Sequence, residues 1–195
     1  MAEPDCEICI QEKQKYAYRA KQSVKPFEGI LDRKSKSGEL THIVLLGKYD
    51  IASINRHQYY ILFINDATRY VTVHFPKRKD EAVQHIKNYI QALKTHRKSP
   101  KAIKIDWGKE FLNEVLKTWL DTEGLDIQVT APYSPSQNGI AERMNRRLVE
   151  LGCAMLKGQD LSEFLWEYAI AHAAYLRKQI IYKIPQKYYS ISEME

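Results

Sequence analysis

Apolar residues follow two rhythms along this chain. Continuous runs of β-branched and aromatic residues, "THIVLLG" at 41–47, "YYILFIN" at 59–65 and "RYVTVHF" at 69–75, predict three strands. The first closes at Gly47, "ASINRHQ" reads as a turn, and "DATR" joins the second and third strands as a hairpin. The other rhythm is helical. In "KDEAVQHIKNYIQALKTH", apolar residues fall at Ala82, Val83, Ile86, Tyr89, Ile90 and Leu93, the spacing of an amphipathic helix, and Pro100 marks the break after it. "AIKID" is a short strand, "FLNEVLKTWLDTE" a second helix ended by Gly124, and "DIQVTA" a strand. A turn-rich loop from Pro132 to Gly139 leads into a basic helix with Glu142 in its first turn, and a last helical segment runs from about Leu161 to Gln179 with Pro185 beyond.

This order, three strands and then helices alternating with strands, predicts an α/β fold: a mixed sheet flanked by helices, in the order of a ribonuclease H-like fold. Three regions are expected: an arm at 1–38, a core at 39–157 and a C-terminal helical extension at 158–195.

Composition changes the picture modestly. The 195 residues are 44% hydrophobic and 28% charged, enough for one domain with a core. Thirty Lys and Arg against 24 Asp and Glu give a net charge of +6, which suits a polyanionic partner. The ten Lys and Arg between Lys77 and Lys109 face three acids, which marks either a phosphate-binding face or a solvated one. Three cysteines and a charged first stretch point to a reducing compartment with no secretory signal. The apolar runs are too short to span a bilayer, so no membrane partner is expected.

Two carboxylates stand out. Asp106 closes the strand "AIKID", and strand ends are where open α/β sheets bind ligands. Residues 107–141 separate it from Glu142. By itself Glu142 reads as an acid favoured near the positive end of a helix. Paired with Asp106 it could also ligate a hard cation, and two such cations can drive a phosphoryl displacement, for which two acids are insufficient.

"IKIDWGKEF" at 103–111 and "TAPYSPSQNGIAERMNRRL" at 130–148 resemble the integrase catalytic core of copia-type LTR retrotransposons, part of a retrovirus-related Pol polyprotein. "YYILFINDATRY" at 59–70 and "FLWEYAIAHAAYL" at 164–176 extend the likeness, which covers roughly residues 6 to 190. It implies a D,D-35-E site with Asp106 as the second acid and Glu142 as the third, both metal ligands for Mg2+ or Mn2+. It also implies DNA strand transfer by multimers on two DNA ends in the nucleus, with nucleic acid as partner (DNA, and RNA as a further candidate) and a homo-oligomer. Lys94, Arg97, Asn138 and Arg143 are the candidate nucleic-acid contacts. A cellular nuclease sharing only the fold is argued against by the length of the "PYSPSQNGIAERMNR" run.

The first acid departs from the family pattern. That pattern is His-x-Asp-x-x-Gly; here His42 and Gly47 match and Val44 stands at the Asp. Asp50 lies six positions on, about 20 Å in extended chain, and could substitute only if the chain bends back sharply after Gly47. Asp66 matches a non-catalytic family acid at the hairpin turn. Arg147, Gly152, Cys153, Lys178, Gln179 and Trp107 also depart from the pattern, and a mid-helix glycine is expected to weaken its helix. The expectation is an integrase-type polynucleotidyl transferase domain inactivated at Val44, or alternatively a non-catalytic nucleic-acid-binding remnant or reuse of such a core. Cys6 and Cys9 form half a zinc site, a remnant of the family's N-terminal zinc-binding region. Five residues precede Cys6 and supply no histidine, so zinc is not expected. Cys153 reads as a small core residue.

Overall fold

The computed structural model describes residues 39–96, 100–105, 114–129 and 135–183. The arm at 1–38 with Cys6 and Cys9, Arg97, and Asp106 with Trp107 all lie outside the described residues.

Five strands form one sheet: β1 (Leu40–Gly47), β2 (Tyr59–Asn65), β3 (Val71–His74), β4 (Ala102–Ile105) and β5 (Asp126–Val129), in the order β3-β2-β1-β4-β5. The first three make an antiparallel meander, and β4 and β5 join β1 in parallel. Four α-helices accompany them: α1 (Ala82–Thr95), α2 (Glu114–Thr122), α3 (Pro135–Gly158) and α4 (Trp166–Lys183). Short 3-10 turns, Lys79–Glu81 and Glu163–Leu165, precede α1 and α4. The expected mixed α/β sheet is the one observed.

Ile43–Leu46 of β1 and Tyr60–Ile64 of β2 are continuous apolar runs because helices cover both faces of the sheet, so successive side chains pointing opposite ways are both shielded. Ile43, Ile61, Phe63, Ile103 and Ile105 face Ala82, Ile86 and Ile90 of α1 and Leu116 and Leu120 of α2. The Phe63 and Tyr89 rings stack there at 4.0 Å. On the other face, Val44, Tyr60, Leu62, Ile64 and Val71 meet Ala141, Met144 and Leu148 of α3 and Ile170, Ala173 and Ala174 of α4. Thus α4, in the segment read as an extension, contributes to the same core as α3.

Two expectations from the sequence are corrected. The stretch from Pro135 to Gly139 is helix, not loop, so Glu142 lies about two turns inside α3 and no acid occupies its first turn. Serine, asparagine and glycine suggested a turn, but proline is suited to the first helical position because the amide it lacks would be unbonded there in any case. The favourable interaction with the helix N-terminus falls off within the first turn, so it does not account for Glu142. The second correction concerns Gly152. It is buried against α4, where an added Cβ would sit 3.3 Å from Ile170 Cδ1 and 3.6 Å from Ala169 Cβ. Its lack of a side chain lets two helices approach, and this packing role offsets its poor helix propensity.

Candidate functional site

The C-terminal half of β1 and the first half of α3 bring Val44 and the residues flanking Glu142 together. Ile43 pairs with Ile105, the last described residue of β4, so Val44 stands one step beyond that pair on β1. Its side chain is 7% exposed and packs in the cluster that holds Ala141 and Met144. Glu142 lies between those two residues and is exposed, as is Arg143, whose Nε donates to the Gly139 carbonyl at 2.8 Å. Asn138 falls in the first turn of α3. Tyr60 on β2 donates to Asn145 Oδ1, three residues along the helix from Glu142, and so ties that turn of α3 to the sheet.

Asp50 lies in the loop that follows β1. After Gly47 the chain continues beside β2: Gly47 pairs with Tyr59, and Tyr49 N donates to Gln58 O at 2.9 Å. Gly47 takes φ 121°, and a Cβ there would meet Gln58 O at 2.5 Å, so a glycine is required. The Tyr49 ring then stacks on Trp166 at 4.7 Å, and Trp166 Nε1 donates to Ile51 O at 3.0 Å. These contacts hold residues 49–51 against the start of α4. Asp50 is an exposed loop carboxylate.

Magnesium or manganese in a two-ion site needs several converging carboxylate oxygens. Among the described residues no group of three or more His, Cys, Asp and Glu converges. Among the described residues, one exposed carboxylate near a buried valine does not supply the full ligand set; Asp106 lies outside them. Among the described residues the arrangement offers one of the candidate acids, Glu142, next in sequence to Arg143 and near Arg146, all three exposed.

The candidate nucleic-acid residues differ in their surroundings. Lys94 is half-buried and its ammonium pairs with Glu123, also reaching the Glu123 carbonyl at 3.4 Å. Within the basic run, Arg78 pairs with Asp80 and Lys101 with Glu39, both at 2.8 Å, and Lys87 lies over the Trp119 ring. Arg78, Lys94 and Lys101 of that run are thus paired with acids, while Arg143 on α3 is exposed.

Sequence reasoning missed a buried polar cluster at the start of α4. Glu167 is 7% exposed. Ser53 Oγ donates to its Oε2 at 2.6 Å and Asn55 Nδ2 to its Oε1 at 3.1 Å, while His57 Nδ1 lies 2.8 Å from Oε2. Burial by itself would raise the Glu167 pKa, but the hydrogen bonds from Ser53, His57 and Asn55 outweigh it and hold the carboxyl below its ordinary value. The Ser53 hydroxyl donates to the carboxylate and accepts from the His57 backbone amide at 3.0 Å, so no histidine base activates it. The cluster is a latch between the β1–β2 loop and α4. Its signal in the sequence is one acid inside the apolar run "FLWEYAIAHAA".

His42 and Asp66 form a second polar pair at the opposite end of β1. His42 Nε2 lies 2.9 Å from Asp66 Oδ1, which also accepts from Arg69 at 3.0 Å. That agrees with a structural role for Asp66.

The fold of this sheet and its helices is that of a retroviral integrase catalytic core, a ribonuclease H-like architecture. A chain of the simian T-cell lymphotropic virus intasome, determined in complex with the PP2A regulatory subunit B56 gamma, superposes with a TM-score of 0.60 at 18% identity, covering 79% of this chain and 53% of that one. The HTLV-2 integrase catalytic core domain, determined in complex with magnesium in a dimeric form, gives a TM-score of 0.51 at 18% identity, covering 71% of this chain and 85% of that one.

The sequence relatives are retrovirus-related Pol polyproteins of transposons, in line with the copia-type resemblance. That of transposon TNT 1-94 from Nicotiana tabacum is 28% identical over 186 residues, 92% of this chain and 14% of the relative. That of transposon RE2 from Arabidopsis thaliana is 30% identical over 128 residues, 65% of this chain and 9% of the relative. The chain therefore spans a small part of the curated relatives it matches. No family model matches it.

Proposed function

We propose that this integrase-type domain derives from the DNA-integration machinery of a retrotransposon and has lost strand transfer at Val44, keeping a nucleic-acid-binding role. The observation that carries the reading is Val44 itself. It is a buried, apolar side chain on the sheet face that packs against α3 around Glu142. A valine offers no oxygen to a cation, and the ion it fails to hold would have stabilised the attacking or the leaving oxygen of a phosphodiester exchange. Loss of one well-placed charge-stabilising group costs on the order of 3–4 kcal/mol, a hundredfold to a thousandfold in rate. DNA, with RNA as a second candidate, is the proposed partner, a nuclear setting is proposed with it, and self-association accompanies the reading. Magnesium or manganese binding is proposed to be weak and limited to one ion, shared by Asp106 and Glu142.

The test is Val44→Asp assayed beside the wild type and Asp50→Asn on short DNA ends with manganese. Nicking or joining is expected with Val44→Asp and not with the wild type, while Asp50→Asn changes nothing. A wild type that is active and is silenced by Asp50→Asn would overturn the reading. Binding is tested separately by titrating an oligonucleotide at several salt concentrations, with log affinity expected to fall linearly with log salt.

A further inference from the structure

The inward face of α4 carries Ile170, Ala173 and Ala174, all in the core. The next position on that stripe, four residues past Ala173, is Arg177. A guanidinium thus occupies a register at which the helix otherwise turns small and apolar residues inward. Arg177 is half-buried, and its Nε is fully buried with no hydrogen-bond partner. Among the described residues it makes no ion pair. A polar atom withdrawn from water and left unbonded is unfavourable, more so when it belongs to a charged group.

What lies opposite makes the arrangement less favourable still. Helix α3 runs alongside α4, with Gly152 set against Ala169 and Ile170. Two turns on from Ile170 along α4 is Arg177, and the matching step back from Gly152 along α3 reaches the turn that carries Arg147. Arg147 is exposed at its outer rim. Burial first, and then the like charge of Arg147, hold the Arg177 guanidinium below its ordinary basicity. Neighbouring Lys178 is engaged elsewhere, its Nζ 4.9 Å from the centre of the Tyr70 ring. A partly dehydrated guanidinium thus lies within electrostatic reach of a second, exposed one.

We propose that Arg147 and Arg177 clasp a phosphate oxyanion in the seam between α3 and α4. A tetrahedral anion with several acceptor oxygens can take hydrogen bonds from both planar forks at once, and its charge removes their repulsion. Free phosphate and a nucleic-acid phosphodiester share this chemistry. The clasp does not depend on Glu142 or on any catalytic metal.

The experiment follows thermal unfolding of the full chain against inorganic phosphate, with ionic strength held constant by chloride. Ligand binding to the folded state alone raises Tm in a saturable way. The wild type is expected to show that rise. Arg177→Met, which replaces the dehydrated charge by an apolar chain of similar length, is expected to be at least as stable as the wild type in chloride and to lose the phosphate response. Arg147→Gln, at the exposed rim and free of any folding role, is expected to weaken the response about tenfold. A wild type that responds no more to phosphate than to chloride overturns the clasp, as does an undiminished response in both variants. Oligonucleotide titration of the same proteins then names the source. A salt slope reduced by about one in Arg147→Gln marks a phosphodiester, and an unchanged slope marks free phosphate. Failure of the wild type to bind any oligonucleotide would count against the proposed nucleic-acid role and leave the phosphate result standing.

Discussion

Two glutamates on neighbouring helices are held in opposite ways. Glu167, at the start of α4, is buried and receives or shares hydrogens with Ser53, Asn55 and His57. Glu142, on α3, is exposed, and no described residue pairs with it. A carboxylate that serves the fold is saturated with donors, because an unbonded charge inside a protein is unfavourable by several kcal/mol. A carboxylate left open toward solvent contributes little to the fold and is available to an external cation or solvent. By this comparison Glu167 serves the fold, and Glu142 is the acid that the proposed site would use. Val44, beside α3, belongs to the core.

The largest expected effect is at position 44. Val44→Asp places a carboxylate in an apolar cluster and should lower stability by about 2–4 kcal/mol in the absence of divalent metal. Manganese should restore part of that loss, measured as the shift in urea midpoint with and without the ion. A variant as stable as the wild type without metal would mean that position 44 is not a core position.

Next is Glu167→Gln, which removes the charge that three side chains converge on. Hydrogen bonds to charged groups contribute about 1.5–3 kcal/mol each, and the amide retains some of them. A net loss of about 3 kcal/mol is expected, or on the order of 10 °C in Tm. A loss under about 0.5 kcal/mol, the level of an ordinary surface change, would erase the contrast between the two glutamates.

Acidification separates two more contributions. The folded state holds the Glu167 pKa below its ordinary value, so its contribution is fully present above the unfolded value and is lost as pH falls through the lower, folded one. Burial foremost, and then the charges of His85 and Lys178, lower the His74 pKa from 6.5 to about 4. Between those two values the unfolded chain binds a proton that the folded chain does not, so stability should fall as pH drops from 6.5 toward 4. His74→Gln should flatten that segment of a stability-versus-pH curve and Glu167→Gln the more acidic one. An unaltered slope in either variant would reassign that segment.

The smallest expected effect is Glu142→Gln, within about 0.5 kcal/mol of the wild type, as for a surface position away from special contacts. A loss as large as that at Glu167 would give Glu142 a structural partner and break the comparison from the other side.

Much of this molecule was legible along the chain, for a physical reason. Strands covered on both faces are apolar at most positions, as Ile43–Leu46 of β1 and Tyr60–Ile64 of β2 are. A helix covered on one face shows its stripe, as Ala82, Ile86 and Ile90 do. Glu142 and Val44 were visible because a long specific run and a short motif placed them, and both signals are local in sequence. Tertiary structure alone decided the rest. Whether Pro135 opens a helix or sits in a loop depends on the packing of α3 across the sheet, which local turn propensity does not contain. Gly152 reads as a helix weakness until Ile170 and Ala169 are seen against it. The loop that carries Asp50 is held by Tyr49 and Trp166, stacked across 117 residues of sequence. Glu167, Ser53 and His57 are scattered along the chain, as are Arg147 and Arg177, and a one-dimensional pattern carries no distance between such positions. Burial and pairing of charges arise only when the helices are laid on the sheet.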